Sequence, residues 1–234
     1  MNINQEINQV NIQSNIKDYS YNRALKELSI DSEHAFEGPH FIVSLQNRDF
    51  YRGELENIPY RRFLDLIEVI KYSPEDLSKR YLDENAFRDV TNEDLNILGI
   101  TEEELFEIAL NNSENYFIPM FVKSSDLIDD YDEISDNEAF FLTNKPLIYG
   151  ASILRYHDIN KYIYDRVCDD YYVIPANINE VFVMAKSFGI EMVMGIRREI
   201  EMINHFILDT NMYLSNNFYY YDHKEDNMLL FEVD

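Results

Sequence analysis

The sequence predicts an α+β protein in which a helical N-terminal half packs on a mainly antiparallel sheet supplied by the C-terminal half. Three observations carry that expectation. Between Ala139 and Lys186 lie four short apolar or aromatic runs, Ala139–Asn144, Gly150–Arg155, Asp170–Ala176 and Val181–Lys186, each of strand length and bounded by turn residues. One amphipathic segment separates the second run from the third, and a further helix and two more runs follow, so the C-terminal half reads ββα-ββα-ββ. Helix-start signals concentrate before Asn112.

With 234 residues the chain can form one large domain or two small ones, and its 46% hydrophobic content argues against overall disorder. Only six Gly and six Pro leave most of the backbone free for regular structure. We divide the chain into an N-terminal arm with a small helix and strand (1–58), an acidic helical region (59–138) and a sheet core (139–234), the last two forming one compact unit.

Taken in order, residues 1–19 are rich in Asn, Gln and Ile and read either as a weak helix through Ile3, Ile7, Val10 and Ile12 or, equally, as a flexible or partner-docked tail. Tyr21–Leu28 suits a short helix, and His40–Leu45, after the Gly38-Pro39 break, a strand. Phe63, Leu66, Ile67 and Ile70 fall at i, i+3, i+4 and i+7 behind Pro59, a helical spacing with proline at the first turn. Ser73-Pro74-Glu75-Asp76 reads as a second helix start, hydroxyl cap and acids at the positive dipole end. Thr91-Asn92-Glu93-Asp94 caps a short helix ending at Gly99, and Thr101-Glu102-Glu103-Glu104 is a capping box that opens another. Phe117–Val122 is a strand whose Pro119 suits a sheet edge. Past Lys186, Val193, Met194, Ile200, Ile203 and Ile207 turn one face of a helix, Ile190 to about Leu208, toward the sheet. The tail NFYYYDHKEDNMLLFEV folds as two strands about the turn Asp222–Asn227.

Charge is the main functional signal. The chain carries 44 acidic against 20 basic residues, a net −24. Such a surplus repels polyanions, which sets direct nucleic-acid binding and anionic membranes aside and favours a basic partner. From Arg61 to Glu138 there are 21 acids and 7 bases, so −14 of the −24 sits there. The densest run holds Asp126, Asp129, Asp130, Asp132, Glu133, Asp136 and Glu138, and Glu102 and Glu103 add to the same surface. It is not a calcium loop, because the bend glycine is missing and Leu127, Ile128 and Ile134 interrupt the ligand spacing. Arg61 and Arg62 read as ion-pair partners for nearby carboxylates.

No catalytic or metal constellation emerges. The five His form neither an HxH nor an HExxH pattern, and no cofactor motif is present. His157 reads as a turn residue. Cys168, the one cysteine, reads as a small buried residue at a helix end and implies no disulfide. The N-terminus lacks a basic and an apolar segment, and no window reaches the length of a membrane span, so the expectation is a cytoplasmic protein. Asn144 and Lys145 in the turn Thr143–Pro146, with Asn179 and Glu180, are the residues a small ligand would use; Tyr219-Tyr220-Tyr221 reads as core and surface tyrosines alternating along a strand.

The segments PYRRFLDLIEVI (Pro59–Ile70), LNILGITEEELFEIALNN (Leu95–Asn112), LTNKPLIYGASIL (Leu142–Leu154), YYVIPANINEVFVM (Tyr171–Met184) and FYYYD (Phe218–Asp222) occur in that order. Together they resemble an uncharacterised family from clostridial genomes and their mobile elements, a domain of unknown function. The LTNK…G and IP…NEV pieces are its most specific part. The resemblance implies this element order and a mobile-element setting, and assigns no chemistry.

The expected function is therefore a non-enzymatic acidic interaction protein, in its sharpest form a phage- or mobile-element-encoded nucleic-acid mimic that inhibits a basic nucleic-acid-binding effector such as a CRISPR or other defence nuclease. The rival from another class is a small-ligand or nucleotide-binding domain with weak hydrolase activity at Asn144, Lys145, Asn179 and Glu180. A third reading is a structural subunit of a larger assembly, marked by a symmetric apolar patch.

Overall fold

The computed structural model describes residues 40–49, 55–79, 82–123, 139–206 and 212–231. The helix expected at Tyr21–Leu28 and the acidic run 126–138 lie outside them. The fold is α+β, with two antiparallel sheets.

The first sheet is built on β3 (Leu66–Tyr72), flanked by β1 (Phe41–Asn47) on one side and β2 (Tyr60–Phe63) on the other. A two-residue strand β4 (Arg88–Asp89) pairs with the end of β3. β1 and β3 are in register over seven residues, Phe41 opposite Tyr72 through Asn47 opposite Leu66.

This sheet corrects the expected helix behind Pro59: Tyr60–Phe63 and Leu66–Tyr72 form a hairpin instead. Leu64 turns the chain in the left-handed region (φ 54°), and Phe63 lies directly opposite Leu66. Every residue of β3 is buried, so its sequence shows no alternation and its apolar positions also satisfy a helical period. The β-branched Ile67, Val69 and Ile70 and pairing on both edges decide for the strand.

Ser73–Asp76 starts no helix either. The Ser73 hydroxyl accepts from the Glu75 N–H, and the Asp76 carboxylate accepts from Ser78 N–H, closing turns with the same side chains that would cap a helix.

Two helices follow as expected, α1 (Asn92–Leu98) and α2 (Glu102–Tyr116), separated by Gly99 at φ 67°. Leu105, Phe106 and Ala109 of α2 pack with Phe41, Val43, Ile70 and Tyr72 on the outer face of the first sheet.

The second sheet has the order β10-β9-β7-β8-β6-β5, antiparallel throughout. Its strands are β5 (Pro119–Lys123), β6 (Ala139–Asn144), β7 (Tyr171–Asn177), β8 (Glu180–Ala185), β9 (Phe218–Asp222) and β10 (Asn227–Phe231). β5 is an edge, as Pro119 suggests. The run Gly150–Arg155, expected as a strand, is a 3-10 helix, fully buried except at Arg155 and followed by α3 (Ile159–Val167).

The main core lies between the two sheets. Ile42, Leu45 and Leu66 of the first meet Leu142, Val173, Val181 and Val183 of the second, with Ile153 and Ile163 filling from the side. The far face of the second sheet is covered by α4 (Ile190–Phe206), where Val193 and Ile200 pack on Tyr172, Ile174 and Met184. Ile203, expected on that inner face, is 48% exposed instead. It sits about 80° around the helix from Val193 and about 60° from Ile200, and so falls beyond the packed stripe.

Candidate functional site

The acidic surface is built on α1 and α2. In α1 the Thr91 hydroxyl accepts from the Asp94 N–H while the Asp94 carboxylate accepts from the Thr91 N–H at 2.8 Å. In α2 Thr101 and Glu104 repeat the arrangement at 3.2 and 2.9 Å. Both boxes fix the helix starts and leave the next carboxylates, Glu93, Glu102, Glu103 and Glu107, pointing into solvent. From Asp89 to Val122 the sequence has eight acids and no Lys or Arg.

Cations from neighbouring elements neutralise part of this face. Arg61 reaches Glu103 at 2.6 Å and Glu102 at 3.9 Å, with its guanidinium 4.1 Å over the Phe106 ring, as expected for an ion-pairing arginine. Arg88 forks onto both carboxylate oxygens of Asp94 at 2.7 and 3.1 Å. Burial pushes the Asp94 carboxyl up, but the hydrogen bonds from Arg88 and Thr91 outweigh it and hold the group below its ordinary range. Glu103 remains 82% exposed in its side chain, where one ion pair contributes little. Among the described residues neither Glu93 nor Glu107 has a basic partner. Asp126, Asp129, Asp130, Asp132, Glu133, Asp136 and Glu138 lie outside them.

The two most specific sequence pieces meet at one joint. The buried Asn144 side chain donates to Ile148 C=O at 2.7 Å and accepts from Ile148 N–H at 3.2 Å, closing the turn that carries Lys145. Asn179 accepts from Tyr149 N–H on its side chain and from the Thr143 hydroxyl on its carbonyl, both at 2.7 Å. Gly150 is required here: a Cβ would stand 2.1 Å from the Asn179 carbonyl oxygen and 2.4 Å from the Thr143 hydroxyl. Asn144 and Asn179 thus come together, but their polar groups are engaged in holding β6, the 3-10 helix and the β7–β8 turn. Lys145 is exposed, and Glu180 accepts from Asn177 across its own turn at 3.1 Å.

A cleft of about 410 Å³ opens elsewhere, where α3 begins beside the β9–β10 turn. Arg155, Asp158, Asn160, Lys161 and Asp226 line it, with Phe63 as an apolar wall. Each of three polar groups is held from behind. Arg155 donates to the buried Glu68 at 3.1 Å, Asp226 accepts from Tyr221 OH at 2.6 Å, and Asn160 accepts from Tyr171 OH at 3.1 Å. Sequence reasoning passed over this cleft, because its walls come from segments some seventy residues apart with no motif in either.

A polar cluster spans three strands of the second sheet. Asp170 accepts from Tyr220 OH at 2.7 Å, Lys186 Nζ at 3.1 Å and His223 N–H at 3.1 Å, while Lys186 also donates to the Tyr220 oxygen at 2.7 Å. The Tyr220 hydrogen bond, then that of His223, hold the Asp170 carboxyl down to about 2. Tyr164 stacks on His223 at 3.8 Å. Cys168, expected to be buried, is exposed instead: it ends α3 in the left-handed region (φ 58°), which turns its side chain away from the core. His157, expected as a turn residue, joins the start of α3 to α2: its backbone N–H donates to Glu114 at 2.6 Å and its ring Nδ1 lies 2.8 Å from the same carboxylate.

The chain belongs to a family of unknown function (DUF5688), whose model matches residues 4–223. The matched span takes in the segment before Pro59 as well as every region whose sequence carries the resemblance. No curated protein and no solved structure matches the chain. Among the described residues, no helix is long and apolar enough to cross a membrane.

Proposed function

We propose that this protein is a non-enzymatic acidic interaction protein that engages a basic partner through α1, α2 and the acidic run that follows them. One observation carries this reading: a span of 34 residues with eight acids and no base places seven of those acids on two helices with fixed, capped starts. Carboxylates held on a rigid element lose little entropy on meeting a cationic surface, which favours them over a floppy acidic tail. Charge complementarity of this kind steers encounter and suppresses polyanionic partners. The sharper form is a mobile-element-encoded mimic of nucleic acid, acting in the cytoplasm, that fills the basic groove of a nucleic-acid-binding effector such as a defence nuclease. The clustered charge and the family resemblance support it.

Capture from host lysate tests this. The wild-type chain should retain nucleic-acid-binding proteins at low salt and release them at high salt. The Glu93→Gln/Glu102→Gln/Glu103→Gln/Glu107→Gln variant, or one neutralising Asp129, Asp130, Asp132 and Glu133, should lose them at least tenfold. A control neutralising four acids outside this face, Glu180, Glu191, Glu199 and Glu225, should not. Equal capture by all of these proteins would end the mimicry mechanism.

A second reading, a small-ligand site with weak hydrolase activity, is supported by the cleft at the start of α3. Its preorganised Arg155 and Asp226 suit a small ligand carrying both charges, at residues other than Asn144, Lys145, Asn179 and Glu180.

A further inference from the structure

We propose that two copies of this chain associate through α4, packed antiparallel about a twofold axis that passes between Gly195 and Glu199, on the face opposite the Arg197 side chain. Four large apolar side chains of α4 face solvent: Ile190, Met192 (54% exposed), Met202 (59%) and Ile203 (48%). They are not needed for the helix to seat on its own sheet, a task performed by Val193 and Ile200.

The pattern is self-complementary. Met192, Gly195, Glu199 and Met202 recur at spacings of three, four and three, so they form a single seam along the helix. That seam is symmetric about residue 197. An antiparallel copy therefore sets Met192 of each helix against Met202 of the other, and Gly195 against Glu199. At the centre Gly195 leaves room, since a Cβ built there meets nothing within 4 Å. The exposed Arg198 lies next to Gly195 on this face, within side-chain reach of Glu199 on the second copy. A twofold contact of this kind closes on itself and leaves no open end.

Electrostatics selects the occupant. Copies of a −24 chain repel one another, and they meet most easily where charge is balanced. Residues 190–206 hold Glu191, Glu199 and Glu201 against Arg197 and Arg198, a net −1. The face of α1 and α2 keeps a surplus of carboxylates even after Arg61 and Arg88 pair with it. A seam with exposed methionines at both ends, on a near-neutral helix, is thus where a second copy fits, and an anionic membrane is a poor alternative for so acidic a molecule.

Sedimentation velocity on the full chain tests the proposal. At tens of micromolar, the wild type should sediment at twice the 27.9 kDa chain mass. Its dimerisation should strengthen as salt screens the repulsion, opposite in sign to the salt response expected of a basic partner. Met192→Glu/Met202→Glu should weaken the dimer at least a hundredfold with unchanged circular dichroism. Arg198→Glu should weaken it about tenfold, and adding Glu199→Arg should restore it. A wild type that stays monomeric at every concentration and salt, or a dimer indifferent to the Met192→Glu/Met202→Glu change, would overturn the proposal. Salt-sensitive capture of a basic partner bears on the acidic face alone, so failure of one reading leaves the other standing.

Discussion

Asp65 shows how much one carboxylate can organise. It sits at the tip of the β2–β3 hairpin and accepts from Ser215 Oγ at 2.6 Å, Tyr219 OH at 2.7 Å and Asn217 Nδ2 at 2.9 Å. Those donors belong to β9 and the segment leading into it, so one side chain gathers three polar contacts between the first sheet and the second. Tyr219 and Ser215 are buried, and removing their acceptor leaves donors that water cannot reach. Asp65→Ala should therefore cost about 2–3 kcal/mol, read as a lower urea midpoint at an unchanged slope. Asp65→Asn, which keeps one acceptor oxygen, should lose less. Nothing in the local sequence marks this aspartate, since its partners lie 150 and more positions away. The same limit hid the cleft residues Arg155 and Asp226. By contrast, Thr91 and Thr101 were legible because a capping box is complete within four residues.

At the scale of elements, the hairpin and the 3-10 helix mark where sequence periodicity stops being informative. β3 is buried on both faces, with the charges of Glu68 and Lys71 taken up by Arg155 at 3.1 Å and Asp89 at 2.7 Å. A strand of that kind carries no alternation to detect. Gly150–Arg155 is apolar throughout and just as ambiguous, and only the close approach of Gly150 to Asn179 gives it a reason to coil. The strands β6 to β10 and helix α4 were readable because turn residues bracket them and their lengths exclude the alternative. Within α4, Gly195 takes an ordinary helical conformation and packs against nothing that a methyl group would strike. Gly195→Ala should stabilise the monomer by about 0.5–1 kcal/mol, measured by urea unfolding at sub-micromolar concentration.

For the whole molecule, pH acts through two sets of groups with opposite signs. Asp94 and Asp170 titrate below their unfolded values, so their contribution is present above the ordinary carboxylate range and is lost as pH falls, for Asp170 toward about 2. Burial raises the phenols of Tyr149, Tyr156 and Tyr171 above the ordinary value near 10. Beyond that pH the unfolded chain ionises while the native one does not, and stability falls again. Mild acid has a further effect, because approaching the isoelectric point near 4.4 relieves the self-repulsion of the −24 charge. The melting temperature should peak on the acid side of neutrality. It should fall steeply below pH 4 and above pH 10, the upper limb coinciding with the appearance of tyrosinate absorbance. A melting temperature flat from neutrality to pH 3 would contradict the roles given to Asp94 and Asp170.

The position of β10 has a consequence of its own. The family match closes at residue 223, in the turn after β9, while β10 continues along the outer side of β9 from Asn227 to Phe231. Its five residues occupy the backbone groups that β9 would otherwise turn outward, and Phe231 lays its ring on Phe218 at 4.8 Å. A strand as aromatic as Phe218–Asp222 would be an inviting template for stray chains if left as a border. β10 works as a hem, keeping the stickiest ribbon of the sheet one row in from the fringe.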